Sequence, residues 1–129
     1  MTLETMEPNP VWVEDAYAAT IGVFEAHRED LVFKIWGGDW CKDCRAQLPD
    51  FGAALDAADV PKENVVHHEL DRDKRGPGLE EYGIEYIPTV VVEHEGREIA
   101  RFVEEEPVPI AVHLADRIAD ALGPDGSGE

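Results

Sequence analysis

The chain predicts a single α/β domain on a central mixed sheet of about four strands, with elements in the order α-β-α-β-α-β-β-α. Three observations predict it. Short β-branched runs alternate with stretches of helical periodicity, the pattern of parallel strands with helices packed on the sheet. The last two runs flank turn residues and read as an antiparallel hairpin. The 129 residues are enough for one core, and 43% of them are hydrophobic, which favours a folded globule over a disordered chain.

The elements follow in order. "PNPVWVEDAYAATIGVFEAHRED", residues 8–30, predicts the first helix: Asn9 can cap it, and Pro10 suits the first helical position. Val13, Tyr17, Ile21 and Phe24 would form its apolar stripe. "LVFKIW", residues 31–36, is apolar on both faces, as a buried central strand would be, and Gly37 and Gly38 end it. Cys44, Leu48, Phe51 and Leu55 then recur at helical spacing, with Pro49 inside the pattern, where a proline removes a backbone bond and kinks a helix. "VVHHEL", residues 65–70, reads as a strand. "RGPGLEEYGI" reads as a loop with at most a short helix. Residues 89–93 and 98–103 form the hairpin around "HEG". Ala111, Leu114, Ala115, Ile118 and Leu122 mark a closing helix stopped by Gly123 and Pro124. Residues 1–10 are expected to be a polar N-terminal extension, residues 11–122 the domain, and residues 123–129 a disordered tail.

Charge narrows the partners. The 29 acids against 11 bases give a formal net charge of −18, which should repel nucleic acid and anionic membranes. The acids are scattered along the chain, so self-repulsion acts on the whole fold. At molar salt the Debye length falls to about 3 Å and that repulsion is screened. Together with scarce lysine, this points to a salt-rich cytoplasm. No apolar run approaches the roughly 18 residues of a membrane span. The acidic N-terminus lacks the basic and apolar regions of a secretory signal. The expectation is a cytoplasmic monomer whose thiols are kept reduced.

"DWCKDC", residues 39–44, holds both cysteines of the chain. The C-x-x-C spacing suits a redox dithiol, half of a zinc site or two unrelated thiols. Its place at a strand-to-helix junction favours the dithiol. Cys41 would sit among the unpaired N–H groups and positive dipole of a helix start, which stabilise a thiolate, and Cys44 one turn on could attack a mixed disulfide at Cys41. A zinc site needs about four ligands. The available histidines, His27, His67, His68, His94 and His113, show no H-x-x-x-H type of pairing, and adjacent His67 and His68 on a strand point to opposite faces.

"WCKDC", Pro49 eight residues after Cys41, and "YIPTVVV" together resemble the thioredoxin family over residues 11–122. The resemblance implies a thioredoxin fold and a protein thiol–disulfide oxidoreductase. In it Cys41 attacks, Cys44 resolves, Trp40 packs beside the site, and Pro88 faces the sulfurs after a cis Ile87–Pro88 bond, leaving the Ile87 backbone free for a substrate strand. It implies disulfide-bearing protein substrates, a separate reductase as electron donor, and no cofactor or metal. The first strand of the family fold has no counterpart in residues 1–10. The family's buried aspartate, six residues before the first cysteine, is Ile35 here, so another acid or water must take the Cys44 proton. Lys42 and Asp43 replace the usual Gly-Pro. Lys42 favours the Cys41 thiolate, whereas Asp39 and Asp43 oppose it. The remaining alternatives are a binding module that uses the cysteines in a metal site, and a reductase of small disulfides or peroxides.

Overall fold

The computed structural model describes residues 3–73, 75–76, 78–103 and 106–122. The alternating runs become β1 (Leu31–Gly37), β2 (Val65–Glu69), β3 (Thr89–His94) and β4 (Arg97–Val103) in one sheet of order β2-β1-β3-β4. β2 runs parallel to β1, from Phe33 opposite Val65 to Gly37 opposite Glu69. β3 runs antiparallel on the other side, with Leu31 opposite His94 and Trp36 opposite Thr89. β4 returns from β3 as the expected hairpin. Its turn uses Glu95 (φ 54) and Gly96 (φ 79), two successive left-handed residues whose twist matches that of the strands.

Alternation along β1 sorts its side chains into two layers. Leu31, Phe33 and Ile35 are fully buried on one face. There Phe33 meets Phe24 of α1 (Ala18–Ala26) and Phe51 of α2 (Lys42–Ala57), with ring centroids 5.4 and 6.0 Å away and edges turned to faces. α4 (Ile110–Leu122) closes the same side through Ile110, Leu114 and Ile118, with His113 edge-on to Phe102. The other face carries Lys34 and Trp36. Lys34 pairs with Glu93 at 3.0 Å and donates to the Tyr82 hydroxyl at 2.6 Å, while that hydroxyl donates to Glu93 at 2.7 Å. Trp36 lies between His68 and Tyr82, 4.6 and 5.0 Å from their centroids. These contacts fasten the one-turn helix α3 (Leu79–Tyr82) to the sheet.

Two expectations change. The first helix starts later than Pro10: a 3-10 turn spans Glu14–Tyr17, and α1 begins at Ala18. Asn9 and Pro10 shape a turn, because the Asn9 carbonyl accepts from Trp12 N–H and its side-chain oxygen from Val11 N–H. Asparagine with a following proline suits a turn as well as a helix start. Val13 is consequently 61% exposed and belongs to no buried stripe. Secondly, the polar-looking N-terminal segment is packed. Leu3 is fully buried and Met6 nearly so, around a 3-10 turn at Glu4–Met6. No strand precedes β1 among the described residues, and this turn lies against α2. The helix stop at Gly123 and Pro124, and the tail, lie outside the described residues.

The segment crosses α2 where the helix has no side chain. A Cβ on Gly52 would collide with the Met6 carbonyl oxygen. Asn9 N–H reaches the Pro49 carbonyl on the same helix, and the Asn9 amide donates to Asp50. Gly52→Ala should therefore destabilise the domain by about 1–3 kcal/mol, although alanine is the better helix former. Urea unfolding checks this, and an unchanged midpoint would show that the crossing is not close-packed.

Candidate active site

The site begins where β1 runs out. After Gly37 the chain turns, with Cys41 N–H donating to the Gly38 carbonyl, and α2 starts at Lys42 with Cys41 as its N-cap. Cys41 holds an extended backbone (φ −83, ψ 123), and its sulfur accepts the Cys44 N–H at 3.3 Å. A helix start leaves its first N–H groups unpartnered, and here one is given to a thiol sulfur instead of a Ser or Asp oxygen. The Cys41 sulfur thus stands at the helix start with an N–H directed at it.

Cys44 is in the opposite environment. It is fully buried. Burial, then the Cys41 sulfur beside it, then the Asp43 charge push its thiol far above the ordinary thiol range, and the Gly38 backbone opposes them only in part. One face of α2 thus presents a sulfur that accepts an N–H, above one that keeps its proton. Gly37 makes room for this. A Cβ there would lie 3.2 Å from the Cys44 sulfur and 3.3 Å from Leu48 Cδ1.

Cys41 is itself nearly covered, with only 9% of the residue accessible. The tight turn from Gly38 sets it against the core. Trp40, half-buried beside it, donates its indole N–H to the Leu70 carbonyl at 2.9 Å and ties the turn to the end of β2. Ile87 and Pro88 are buried and joined by a cis peptide. They precede Thr89, which lies opposite Trp36, so they stand at the same end of the sheet as Gly37 and the cysteines. Lys42 and Asp43 are exposed on the first turn of α2. No three His, Cys, Asp or Glu side chains converge as a possible metal-holding group among the described residues.

A thioredoxin family model matches residues 13–116. The chain belongs to the thioredoxin family. No curated protein sequence matches it. Among solved structures it resembles a malarial protein (16% identity, 72% of this chain and 98% of the other, TM-score 0.53). It also resembles Schistosoma mansoni thioredoxin pre-protein (22% identity, 75% and 84%, TM-score 0.50) and Fasciola hepatica thioredoxin (20% identity, 83% and 88%, TM-score 0.50). At these identities the likeness concerns the thioredoxin fold. No helix among the described residues is long and apolar enough to cross a membrane.

Within this thioredoxin fold, Ile35 is fully buried on the same face of β1 as Gly37, so the central strand puts hydrocarbon where the family has its aspartate. The carboxylate nearest in sequence to Cys41 on its N-terminal side is Asp39. It is engaged: its two oxygens accept N–H groups from Glu4 and Thr5 at 3.1 and 3.0 Å. Partial burial raises its pKa, but these bonds outweigh that and hold it below the usual carboxylate value. Arg45 donates to the Asp39 carbonyl at 3.1 Å. Sequence reasoning missed Leu3, Glu4 and Thr5, and weighed His67 only as a metal ligand; the three backbone N–H groups join it to Asp39. The only signal was the pair Leu3 and Met6, two apolar residues three apart in an acidic stretch.

The Cys44 environment gives a pH dependence with a definite sign. Its folded pKa is raised, so it contributes stability that is complete below the ordinary thiol range and is lost as pH rises above it. Reduced protein should lose stability on passing from neutral to alkaline pH, and Cys44→Ala should flatten that loss. Chemical denaturation across pH measures both slopes; equal slopes would contradict the assignment.

Proposed function

We propose that this domain is a protein thiol–disulfide oxidoreductase working through Cys41 and Cys44. The observation that carries the reading is the sulfur-capped start of α2, with the Cys41 sulfur accepting the N–H of Cys44, whose own thiol is sealed in the core. In the reducing direction, the Cys41 thiolate attacks one sulfur of a substrate disulfide. A Cys41–substrate disulfide forms and the first substrate thiolate leaves. Cys44 then gives up its proton and attacks the Cys41 sulfur. The second substrate thiolate leaves, and the Cys41–Cys44 disulfide has taken the place of the substrate's. Two electrons have passed to the substrate, and two protons complete its thiols. A separate reductase with the opposite balance restores the dithiol, and no cofactor is needed within this chain.

Trp40, Ile87 and Pro88 stand at the cysteine end of the sheet, where they would form the surface met by an extended substrate segment. Lys42 and Asp43 would tune the thiolate from solvent, weakly in the salt-rich cytoplasm that the acidic composition suits. The reading is for a monomer that acts on proteins and not on nucleic acid or membrane.

Disulfide reduction at molar salt tests it. Cys41→Ser should abolish turnover, and Cys44→Ser should accumulate a mixed disulfide visible by mass spectrometry under non-reducing conditions. Full activity in Cys41→Ser would overturn the mechanism. Near-stoichiometric zinc or iron in protein purified without added metal would instead favour a metal-binding module. Turnover confined to small disulfides or peroxides would change the substrate class.

A further inference from the structure

Leu3, Glu4 and Thr5 supply three successive backbone N–H groups, and all three are taken by side chains from distant parts of the chain. Leu3 N–H donates to His67 Nδ1 at 2.9 Å, and Glu4 and Thr5 donate to the two oxygens of Asp39. His67 lies on β2, and Asp39 immediately precedes Trp40 and Cys41. Leu3 is fully buried, with its Cδ1 3.7 Å from the position a Cβ would take on Gly37, a position itself 3.2 Å from the Cys44 sulfur. The segment thus spans β2, the turn before Cys41 and α2, and it does so with directed bonds at both ends.

We propose that Asp39 and His67 are positioning residues for the dithiol, acting by clamping Leu3–Thr5 onto the turn that carries Trp40 and Cys41. The inference rests on the reading of Cys41 as the attacking thiol. Asp39 has two geometric tasks. Its backbone leads into the turn, where its carbonyl receives Arg45, and its carboxylate is fixed by the Glu4 and Thr5 N–H groups. A carboxylate held in this way keeps one orientation beside Cys41, and its charge is spent on two N–H dipoles instead of the sulfur. Released, it would loosen the turn and add an unshielded negative charge next to the thiolate.

His67 closes the other end only while Nδ1 carries no proton, since an imidazolium has two donors and no acceptor. Burial holds its pKa below the ordinary histidine value, with Asp39 opposing. Glu7, Asp56 and Lys62 line the groove that His67 borders, and His68 is its neighbour on β2. The sign follows. The clamp is complete above the unperturbed histidine pKa and is lost as pH falls through the lowered one.

Stopped-flow reaction of reduced full-length protein with a chromogenic aromatic disulfide, at molar salt, measures the Cys41 attack without a reductase. Asp39→Ala and His67→Ala should each slow it roughly tenfold, because small misplacements of a reacting group have large effects. Asp39→Asn, which keeps an acceptor, should recover most of the rate. The double variant should be no slower than the slower single one, since both open the same clamp. His67→Asn places an amide oxygen near the Nδ1 position and does not titrate. The wild-type rate divided by the His67→Asn rate cancels the shared thiolate titration. That ratio should be constant at neutral pH and fall as the pH drops below the ordinary histidine range.

A flat ratio, together with an Asp39→Ala rate within about twofold of wild type, would overturn the proposal while Cys41→Ser stays inert. If wild type fails to attack the disulfide, the functional reading fails instead. Amide exchange then still tests the clamp, through protection of Glu4 and Thr5 that is lost in Asp39→Ala and protection of Leu3 that is lost on protonation of His67. The histidine pair decides the question even if Asp39→Ala does not fold.

Discussion

Gly37 is the last residue of the central strand, and its lack of a side chain sets the depth at which α2 can begin. Alternation directs this position to the same face as Phe33 and Ile35, where any larger residue would meet the Cys44 sulfur and Leu48. Because the space is open, α2 settles onto the strand end and Cys44 is sealed from water. The chemistry follows from that packing. A thiol without solvent keeps its proton, and the sulfur one turn earlier remains at the helix start with an N–H pointed at it. The two cysteines have the same side chain and differ by depth and by their place on the helix.

The sheet serves this end by holding its parts in register. β1 sits between β2 and β3, so the turn after β1, the end of β2 and the start of β3 meet at one edge of the layer. Trp40 is anchored to the end of β2, and Ile87 and Pro88 enter at the start of β3. The aromatic cluster of Phe24, Phe33 and Phe51 locks α1 and α2 to the strand beneath them. Each such buried ring is worth about 1.5–3 kcal/mol of transfer free energy. The helix that carries both sulfurs is therefore among the well-anchored parts of the molecule.

Much of this was legible in the sequence because its causes are local. β1, β2, the hairpin and α2 each announce themselves by a period written into adjacent residues, and the C-x-x-C pair lies within a single turn. The first helix was misplaced because Asn9 and Pro10 satisfy the rules of a turn as readily as those of a helix start. The N-terminal segment was not legible for a different reason. Its partners lie 34 and 64 positions away at Asp39 and His67, and short polar stretches carry no period that points to them. The small access at Cys41 was likewise invisible, since exposure is a property of the packed turn and not of the motif. The Lys34–Tyr82–Glu93 group shows a milder version of this. A lysine in an apolar strand reads as an anomaly until the tyrosine and glutamate that receive it are brought together from other elements.

Among the described residues β2 stands at the rim of the sheet, bonded to β1 on one side only. A rim strand is a template on which another chain can build, and proteins blunt such rims by charge or by cover. The net charge of −18 keeps copies of this chain apart in dilute buffer, but that protection shrinks with the screening length, to a few ångströms in concentrated salt. Beside this rim the chain holds Leu3, whose N–H donates to the His67 side chain and which borders one groove with Val65 and Val66. In concentrated salt, any cover of the rim must come from packing of this kind and not from charge.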